Sequence, residues 1–511
     1  VSRARRDERA DGGDAAPQRL ARGWRDDLAL ALALALALAL LALRERTIAG
    51  AFGFPLDDSW IHMHFARNIA EGAGFSYNPG VPVAGSTAPL WTLALAGAVL
   101  VGGAGLAAGK ALGVACTLGT ALVTRRLVLA LGGGRVAGIA AGVALVWAGP
   151  VAWGALSGME VSLAALLVAL ALLAHARGQS AWTACCAALA VLARPESAIL
   201  LPLLLAAAPL TVRRVALFAA VTAIVLAPAV WFSMVTAGSA VPATATAKVE
   251  GGLLGWWSGT REPVVTMFLV RPRDFGKEWI AWLWGTHWLW PFAVAFSIGV
   301  AIWNGGRRWA WPALALVLHP IAMAVLAPYR GPGFQEGRYS IHLLPLLVAV
   351  VWGFGARLAG RVPVAAAALA IYLCIAAYLL WPASARYAWG VQNINAMQVH
   401  LGEWVAAHTP AGARIALNDI GAIAFVSRRE VIDLMGLVTP EIRPYRREGE
   451  AGVIRYVEET CPDYVIVFPA WFPRLSSLHS RFEVLYRVRL PHNEVAGADE
   501  MVVYRTLTCA V

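Results

Sequence analysis

The chain has 511 residues, of which 59% are hydrophobic and only 14% charged. Soluble domains run near 25% charged, so this composition excludes an ordinary soluble protein and indicates an integral membrane protein. The formal charge of +11 does not indicate nucleic acid, because the basic residues stand as short Arg clusters between apolar segments, the pattern of membrane topology.

Residues 1–27 are rich in Arg, Asp and Gly and are expected to be a disordered cytoplasmic tail. The chain opens on Val1 and not Met, and its coding start is expected to be an alternative codon or to lie upstream. An almost pure Leu/Ala segment, 28–43, follows. It suits a signal-peptide core as well as a span, but the long preceding region and the many later spans favour an uncleaved signal anchor.

Residues 44–105 form a loop in which the least expected chemistry of the chain is concentrated. Asp57 and Asp58 are adjacent carboxylates close to a lipid boundary, where each charge costs ~2.5–3.5 kcal/mol if it enters hydrocarbon. The spacing predicts a helix from Asp58 through Arg67, followed by a turn at Tyr77-Asn78-Pro79-Gly80. One Asp is suited to cap that helix while the other is left for chemistry. His62, four residues after Asp58, shares its face, which leaves an Asp–His pair or a divalent metal on Asp57, Asp58 and His62 as open alternatives. His62 and His64 lie about 200° apart round a helix and cannot chelate one ion together.

Apolar segments then follow at 106–124, 136–153, 160–174, 181–193, 198–212, 215–232, 287–303, 309–327, 341–356 and 363–381. With 28–43 a span and 88–105 a helix lying in the interface, the connections bearing Arg125/Arg126/Arg135, His175/Arg177, Arg213/Arg214, Arg307/Arg308 and Arg357/Arg361 all fall on the side of the N-terminal tail. That gives about eleven spans. The loop 44–105 and everything after 381 then lie outside. No repeat of fixed period is evident. Ionisable groups at the outer edges include Glu160, Arg194, Lys248, Arg338 and His342. Singly, each is explained by snorkelling or a helix-end ion pair. Together they place carboxylates suited to base chemistry beside cations suited to a phosphate. The 22 Trp are mostly accounted for by an interfacial belt, and a sugar- or lipid-binding surface would use others.

From about Pro382 the composition turns polar. Strand-like runs at 414–417, 464–468, 482–490 and 501–507 alternate with helical patterns near 392–407 and 450–460, predicting a small extracytoplasmic α/β domain over 382–511. Cys461 precedes one strand and Cys509 follows another. If those strands are neighbours the pair forms a disulfide, the alternative being two unpaired thiols.

The motifs Pro55-Leu56-Asp57-Asp58-Ser59-Trp60-Ile61, Ala66-Arg67-Asn68-Ile69-Ala70-Glu71-Gly72 and Gly85-Ser86-Thr87-Ala88-Pro89-Leu90-Trp91 resemble the first outer loop of the GT-C glycosyltransferases. The branch is similar to cell-wall arabinofuranosyltransferases, and more distantly to lipid A aminoarabinose transferases and protein O-mannosyltransferases. The resemblance continues through 157–160, 192–196, 240–248, 337–345 and, in the polar domain, 418–437. It implies a bacterial inner-membrane enzyme of the GT-C fold. Such an enzyme transfers a pentosyl or hexosyl unit, with inversion, from a polyprenyl-phosphate donor to a hydroxyl of an envelope glycan, lipid or protein. It further implies Asp57 as general base, Asp58 assisting, and Arg67, Glu160, Arg194, Lys248, Arg338 and His342 around the donor phosphate and substrate. No cofactor is required by the resemblance, and a divalent metal stays open. The rival expectation is a transporter or flippase of lipid-linked sugars, which predicts ionisable residues at span centres and internal repeats.

Overall fold

The computed structural model describes residues 15–249, 251–257, 259–355 and 362–509. Among these, six helices are long and apolar enough to cross a bilayer: Gly23–Ile48, Leu106–Ala130, Val212–Ala237, Trp290–Leu326, Phe334–Gly355 and Leu369–His408. The helices Arg135–Val146 and Gly149–Leu156, bent by 64°, make a seventh if counted as one span. Length and composition among the described residues do not confirm the expected count of about eleven. The segments expected at 160–174 and 181–193 form helices of only 16 and 14 residues, short of the ~20 a straight span needs. The pair expected at 287–303 and 309–327 forms one run broken at Gly306, where φ is 53°. Arg307 and Arg308 follow at the break.

The first helix begins at Ala15 and so takes in residues 15–27 of the expected tail. Asp26 accepts from Arg125 and from Arg135, each at 2.6 Å. Near its other end Glu45 binds Lys110 at 2.7 Å. At 1.5 Å per residue these two acids stand about 28 Å apart, so the helices Gly23–Ile48 and Leu106–Ala130 run antiparallel.

The remaining basic clusters gather at the Asp26 end. Arg308 donates to the carbonyls of His175 and Ala176 at 2.6 and 2.9 Å, and Arg307 to that of Ala206 at 3.0 Å. Arg214 donates to Leu204 and Ala208. Each guanidinium satisfies carbonyls left over at a helix C-terminus, where a cation is also favoured by the helix dipole. Arg357 and Arg361 lie outside the described residues.

The helix expected in the interface, Pro89–Gly102, packs on the helix Asp57–Ala70 and against Leu106–Ala130. No break occurs at Pro382, where the composition changes. The helix Val362–Ile394 runs through it and continues as a π-helical segment, Asn395–Val399, into His400–His408.

The polar domain carries a five-stranded sheet of β1 (Arg414–Leu417), β2 (Glu430–Asp433), β3 (Tyr464–Val467), β4 (Phe482–Arg489) and β5 (Glu500–Thr506), in the order β2-β1-β3-β5-β4. The first three strands are parallel and β5 and β4 antiparallel. β2 was not expected; it is four residues long and follows directly on Arg428-Arg429. β3 and β5 are neighbours, and Cys461 and Cys509 at their adjacent ends form a disulfide with a Cα–Cα distance of 5.7 Å.

The outer loop is fastened to this domain side chain by side chain. Asn78 pairs with the backbone of Val431 in both directions, at 2.8 and 2.9 Å. Tyr77 donates its hydroxyl to the carbonyl of Ile420. The Tyr-Asn-Pro-Gly turn therefore acts as a short extra edge for β2.

The disulfide yields a direct prediction. Without reduction, alkylation of the unfolded protein should leave two of the six cysteines unlabelled, and both should label after reduction. Replacing Cys461 and Cys509 by Ala should destabilise the domain by about 4 kcal/mol for a loop of this length, measured as a lowered denaturant midpoint.

Candidate active site

The helix Asp57–Ala70 starts from Leu56, an extended residue with φ −141° and ψ 145°, and neither Asp caps it. Asp57 caps a different helix. Its Oδ2 accepts from the amide of Gly421 and its Oδ1 from that of Ala422, both at 2.7 Å, at the start of Gly421–Ser427 in the polar domain. Gly421 has no room for a side chain, since a Cβ there would come within 2.1 Å of the Asp57 carbonyl oxygen and 2.7 Å of its carboxyl carbon.

Burial, and then the charge of Asp419, push the Asp57 carboxyl well above the ordinary carboxylate range, while the two amide bonds pull the other way. Asp419 accepts from the Gln398 amide at 2.9 Å and is itself raised to about 6, chiefly by burial.

Asp58 faces the opposite surroundings. Arg338 binds it at 2.6 Å and Lys248 stands 3.8 Å away. Burial works to raise Asp58, but those two cations outweigh it and hold its carboxyl below the ordinary range. The neighbouring carboxylates are thereby split, the proton affinity of Asp57 raised and that of Asp58 lowered.

His62 directs Nε2 to Glu160 at 3.4 Å and Nδ1 to Thr92 at 3.0 Å. Burial lowers it to about 4, with Lys248, Arg338 and Arg194 adding to the effect against Asp58, so it is neutral at neutral pH. Glu160 is bound instead by Arg194, which also meets Glu196 at 3.3 Å and lies over the Tyr339 ring at 4.5 Å. The turn that presents Glu160 is held by three contacts. Ser59 donates to Ser157 at 2.7 Å, Trp91 donates to Gly158 at 3.1 Å, and a Cβ at Gly158 would strike the ring of Phe54 at 2.6 Å.

Asp57, Asp58 and His62 are thus committed to three different sets of partners. Among the described residues no three His, Cys, Asp or Glu side chains come together as a metal-ligating set. As placed, Asp57, Asp58 and His62 do not form one shared donor set.

Two expected site residues lie elsewhere. Arg67 donates to the carbonyl of Phe425 at 2.7 Å and stacks on that ring at 4.4 Å, fastening the outer loop to the polar domain and facing neither cavity. It is nine residues beyond Asp58, two and a half turns along the helix. His342 is fully buried, 5.4 Å from the ring of His319, and lines neither cavity.

Two cavities meet at Asp58. The larger, about 770 Å³, is walled by Asp57, Asp58, Lys248 and Arg338 on the bundle side and by Asn418 and Asp419 on the domain side. The smaller, about 400 Å³, has His62, Glu160, Arg194 and Lys248 at its head and apolar side chains such as Leu226 and Val230 along its body. Lys248, Arg338, Tyr329 and Leu437 border both. Leu437 is placed by the buried carboxylate of Asp433, which collects the amides of Met435, Leu437 and Val438. Asp419, Asn418 and Gln398 were not singled out in the sequence, although Asp419 stands within the Asn418-Asp419-Ile420-Gly421 motif.

By sequence, residues 392–504 match a domain of unknown function, DUF8728. No curated protein matches the chain. By structure, ArnT from Cupriavidus metallidurans in the apo state matches with a TM-score of 0.54 and 14% identity, over 95% of this chain and 98% of that one. The Archaeoglobus fulgidus oligosaccharyltransferase, complexed with Zn and sulfate, matches with a TM-score of 0.57 and 13% identity, over 94% of this chain and 73% of that one. The chain has the GT-C fold. ArnT bound to undecaprenyl phosphate matches similarly, with a TM-score of 0.53 and 14% identity over 93% and 97% of the two chains. In this chain the apolar helical bundle carries Asp57 and Asp58 on its first loop at one end, and the small sheet domain closes over it.

Two tests follow from the geometry. Gly421→Ala should displace the Asp57 carboxylate and lower activity by about 10²-fold, as misplacements of about 1 Å do, with membrane insertion unchanged. An Asp57 that acts as a base must be ionised, and in that case the rate should rise with pH through a value above the ordinary carboxylate range. Asp419→Asn removes the second cause of that shift and should move the acid limb downward. An unmoved limb would show that Asp57 does not govern it.

Proposed function

We propose that the protein is an inverting membrane glycosyltransferase that moves a sugar from a polyprenyl-phosphate donor to an acceptor hydroxyl. The observation that carries this is the junction at Asp58, where an apolar cavity headed by cations opens into a polar cavity lined by a carboxylate of raised pKa. A lipid-linked sugar phosphate has one apolar and one anionic part, and the smaller cavity offers a surface for each.

The helix Val212–Ala237 contributes Leu226 and Val230 to that cavity while exposing Ile224 and Trp231 outward, as a wall that an isoprenoid chain passes would. Lys248 has three donors, and the carboxylate nearest to it, Asp58, is shared with Arg338. It is therefore the cation best able to turn to a phosphate, with Arg338 held in place by Asp58 beside it. As the glycosyl bond breaks, charge grows on the phosphate oxygens, and fixed cations there stabilise the transition state more than the ground state.

On the other side, each Asp57 oxygen spends one lone pair on a backbone amide and keeps another for substrate. The acceptor O–H gives its proton to Asp57, and the freed oxygen attacks the anomeric carbon from the face opposite the phosphate. The bond from that carbon to the phosphate oxygen breaks with its electron pair going to the lipid phosphate. One displacement gives inversion. Polyprenyl phosphate is already an adequate leaving group, so no general acid is called for.

Orientation follows from the basic end of the bundle. Arg125, Arg135, Arg214, Arg307 and Arg308 gather away from the site, and by the positive-inside rule that end is cytoplasmic. The catalytic cavities and the polar domain then face outward, in a bacterial inner membrane. The basic clusters at one end and the site charges at the other leave few ionisable groups at mid-depth, which disfavours a transporter.

Purified protein incubated with a panel of polyprenyl-phosphate sugars should release polyprenyl phosphate from one of them in the presence of acceptor. Asp57→Asn should lower that transfer by about 10²–10⁴-fold with normal membrane insertion, and full activity in this variant would remove Asp57 as the base. Lys248→Met should raise the donor KM by about tenfold, the loss expected of a charge-assisted bond.

A further inference from the structure

The parallel strands β2, β1 and β3 all end on the same edge of the sheet, and the segments that leave them carry Met435, Asn418 with Asp419, and Trp471. All four line the larger cavity. Ligands of open parallel sheets bind outside the carboxyl ends of the strands, so this edge is where the domain itself would hold one.

Two buried side chains at this edge each leave one polar atom without a partner among the described residues. Asn418 is 3% exposed. Its Oδ1 accepts from the Phe468 amide at 3.1 Å, and its Nδ2 has no acceptor. Gln398 is fully buried. Its Nε2 donates to Asp419, and its Oε1 has no donor. Buried polar atoms are rarely left so, because each gives up its hydrogen bonds to water. Both residues line the cavity.

The unmet needs define a ligand. An amide N–H requires an acceptor, while an amide oxygen and the Asp419 carboxylate require donors. Hydroxyl groups do both, so adjacent hydroxyls on one sugar ring satisfy all three. A lipid chain satisfies none. A phosphate or carboxylate held at Asp419 would face that carboxylate and Glu494; of the other arginines on the cavity wall, Arg386 pairs with Glu336, Arg446 donates to the Met435 carbonyl, and Arg330 lies over the rings of Tyr329 and Phe334 at 5.4 and 5.3 Å. Trp471, 40% exposed with its indole N–H fixed on the Gly497 carbonyl at 3.0 Å, offers a flat apolar face on the same wall.

We propose that Asn418, Asp419, Gln398 and Trp471 form an acceptor subsite for a neutral glycan, held by the polar domain with its reacting hydroxyl toward Asp57. The proposal rests on the reading of Asp57 as the base. It selects a glycan from the glycan, lipid and protein acceptors left open above. Asp419 is two residues from Gly421, whose amide holds Asp57. A sugar held at Asp419 therefore places its next hydroxyls near the base.

The test needs no donor and no turnover. Full-length protein in nanodiscs is passed over an array of neutral and anionic glycans free of lipid. The wild type should retain neutral glycans. Trp471→Ala, Gln398→Leu and the shape-preserving Asp419→Asn should each weaken that retention on the order of tenfold or more, with melting temperatures kept. Retention of anionic glycans only, of no glycan, or equal retention by all three variants would overturn the proposal. Since retention is measured without transfer, a failed array leaves the transferase reading standing. An active Asp57→Asn protein would remove the base without touching the retention result.

Discussion

The Asp57 carboxylate is the point on which both halves of this molecule depend. It belongs to the loop after the first helix, yet its two hydrogen bonds come from the amides of Gly421 and Ala422. A buried carboxylate without such partners would be costly, and backbone amides at a helix start are the arrangement that best offsets the loss of water. The contact leaves no slack, because the Gly421 Cα lies against the Asp57 backbone. Tyr77, Asn78 and Arg67 reinforce it from the same loop, each reaching a backbone group of the polar domain.

From that anchor the electrostatics of the site divide in two. Adjacent residues on one helix turn point into different surroundings, Asp57 toward Asp419 and Asp58 toward Arg338 and Lys248. Environment and not residue type therefore separates the proton affinities of the two carboxylates, the same logic by which paired carboxylates take separate roles in other enzymes. Neutral His62 lies between Asp58 and Glu160 without adding a third charge to that balance.

Much of this was legible in the sequence where charge met hydrocarbon. Asp57, Asp58, Glu160, Arg194, Lys248 and Arg338 stand out because a membrane makes ionisable groups expensive, and all of them converge. Arg67 carried the same signal for a different reason, a structural one, and composition does not distinguish the two. Asp419 and Gln398 gave no such signal because they sit in a polar domain, where charged residues are ordinary. The helix Val362–Ile394 runs through Pro382, where the composition turns polar, because an existing helix can tolerate a proline that lies between packed neighbours. β2 escaped notice because four residues are too few to establish a period. Among the described residues, length and composition do not confirm about eleven spans, because apolar runs of 12 to 16 residues satisfy a hydropathy criterion while falling short of a straight crossing at about 1.5 Å per residue.

The separation of Asp57 from its partners also has a consequence in time. The amides that hold it are 364 and 365 residues further along the chain. At synthesis rates of about 5–20 residues per second, the first loop emerges roughly 20 to 70 s before the residues that complete it. Throughout that interval the carboxylate is hydrated, its proton affinity ordinary and its geometry unset. A chain cut before Gly421 therefore has the lipid-facing half of the site without the amides that set Asp57, and the cavity is complete only when the polar domain has been made and docked.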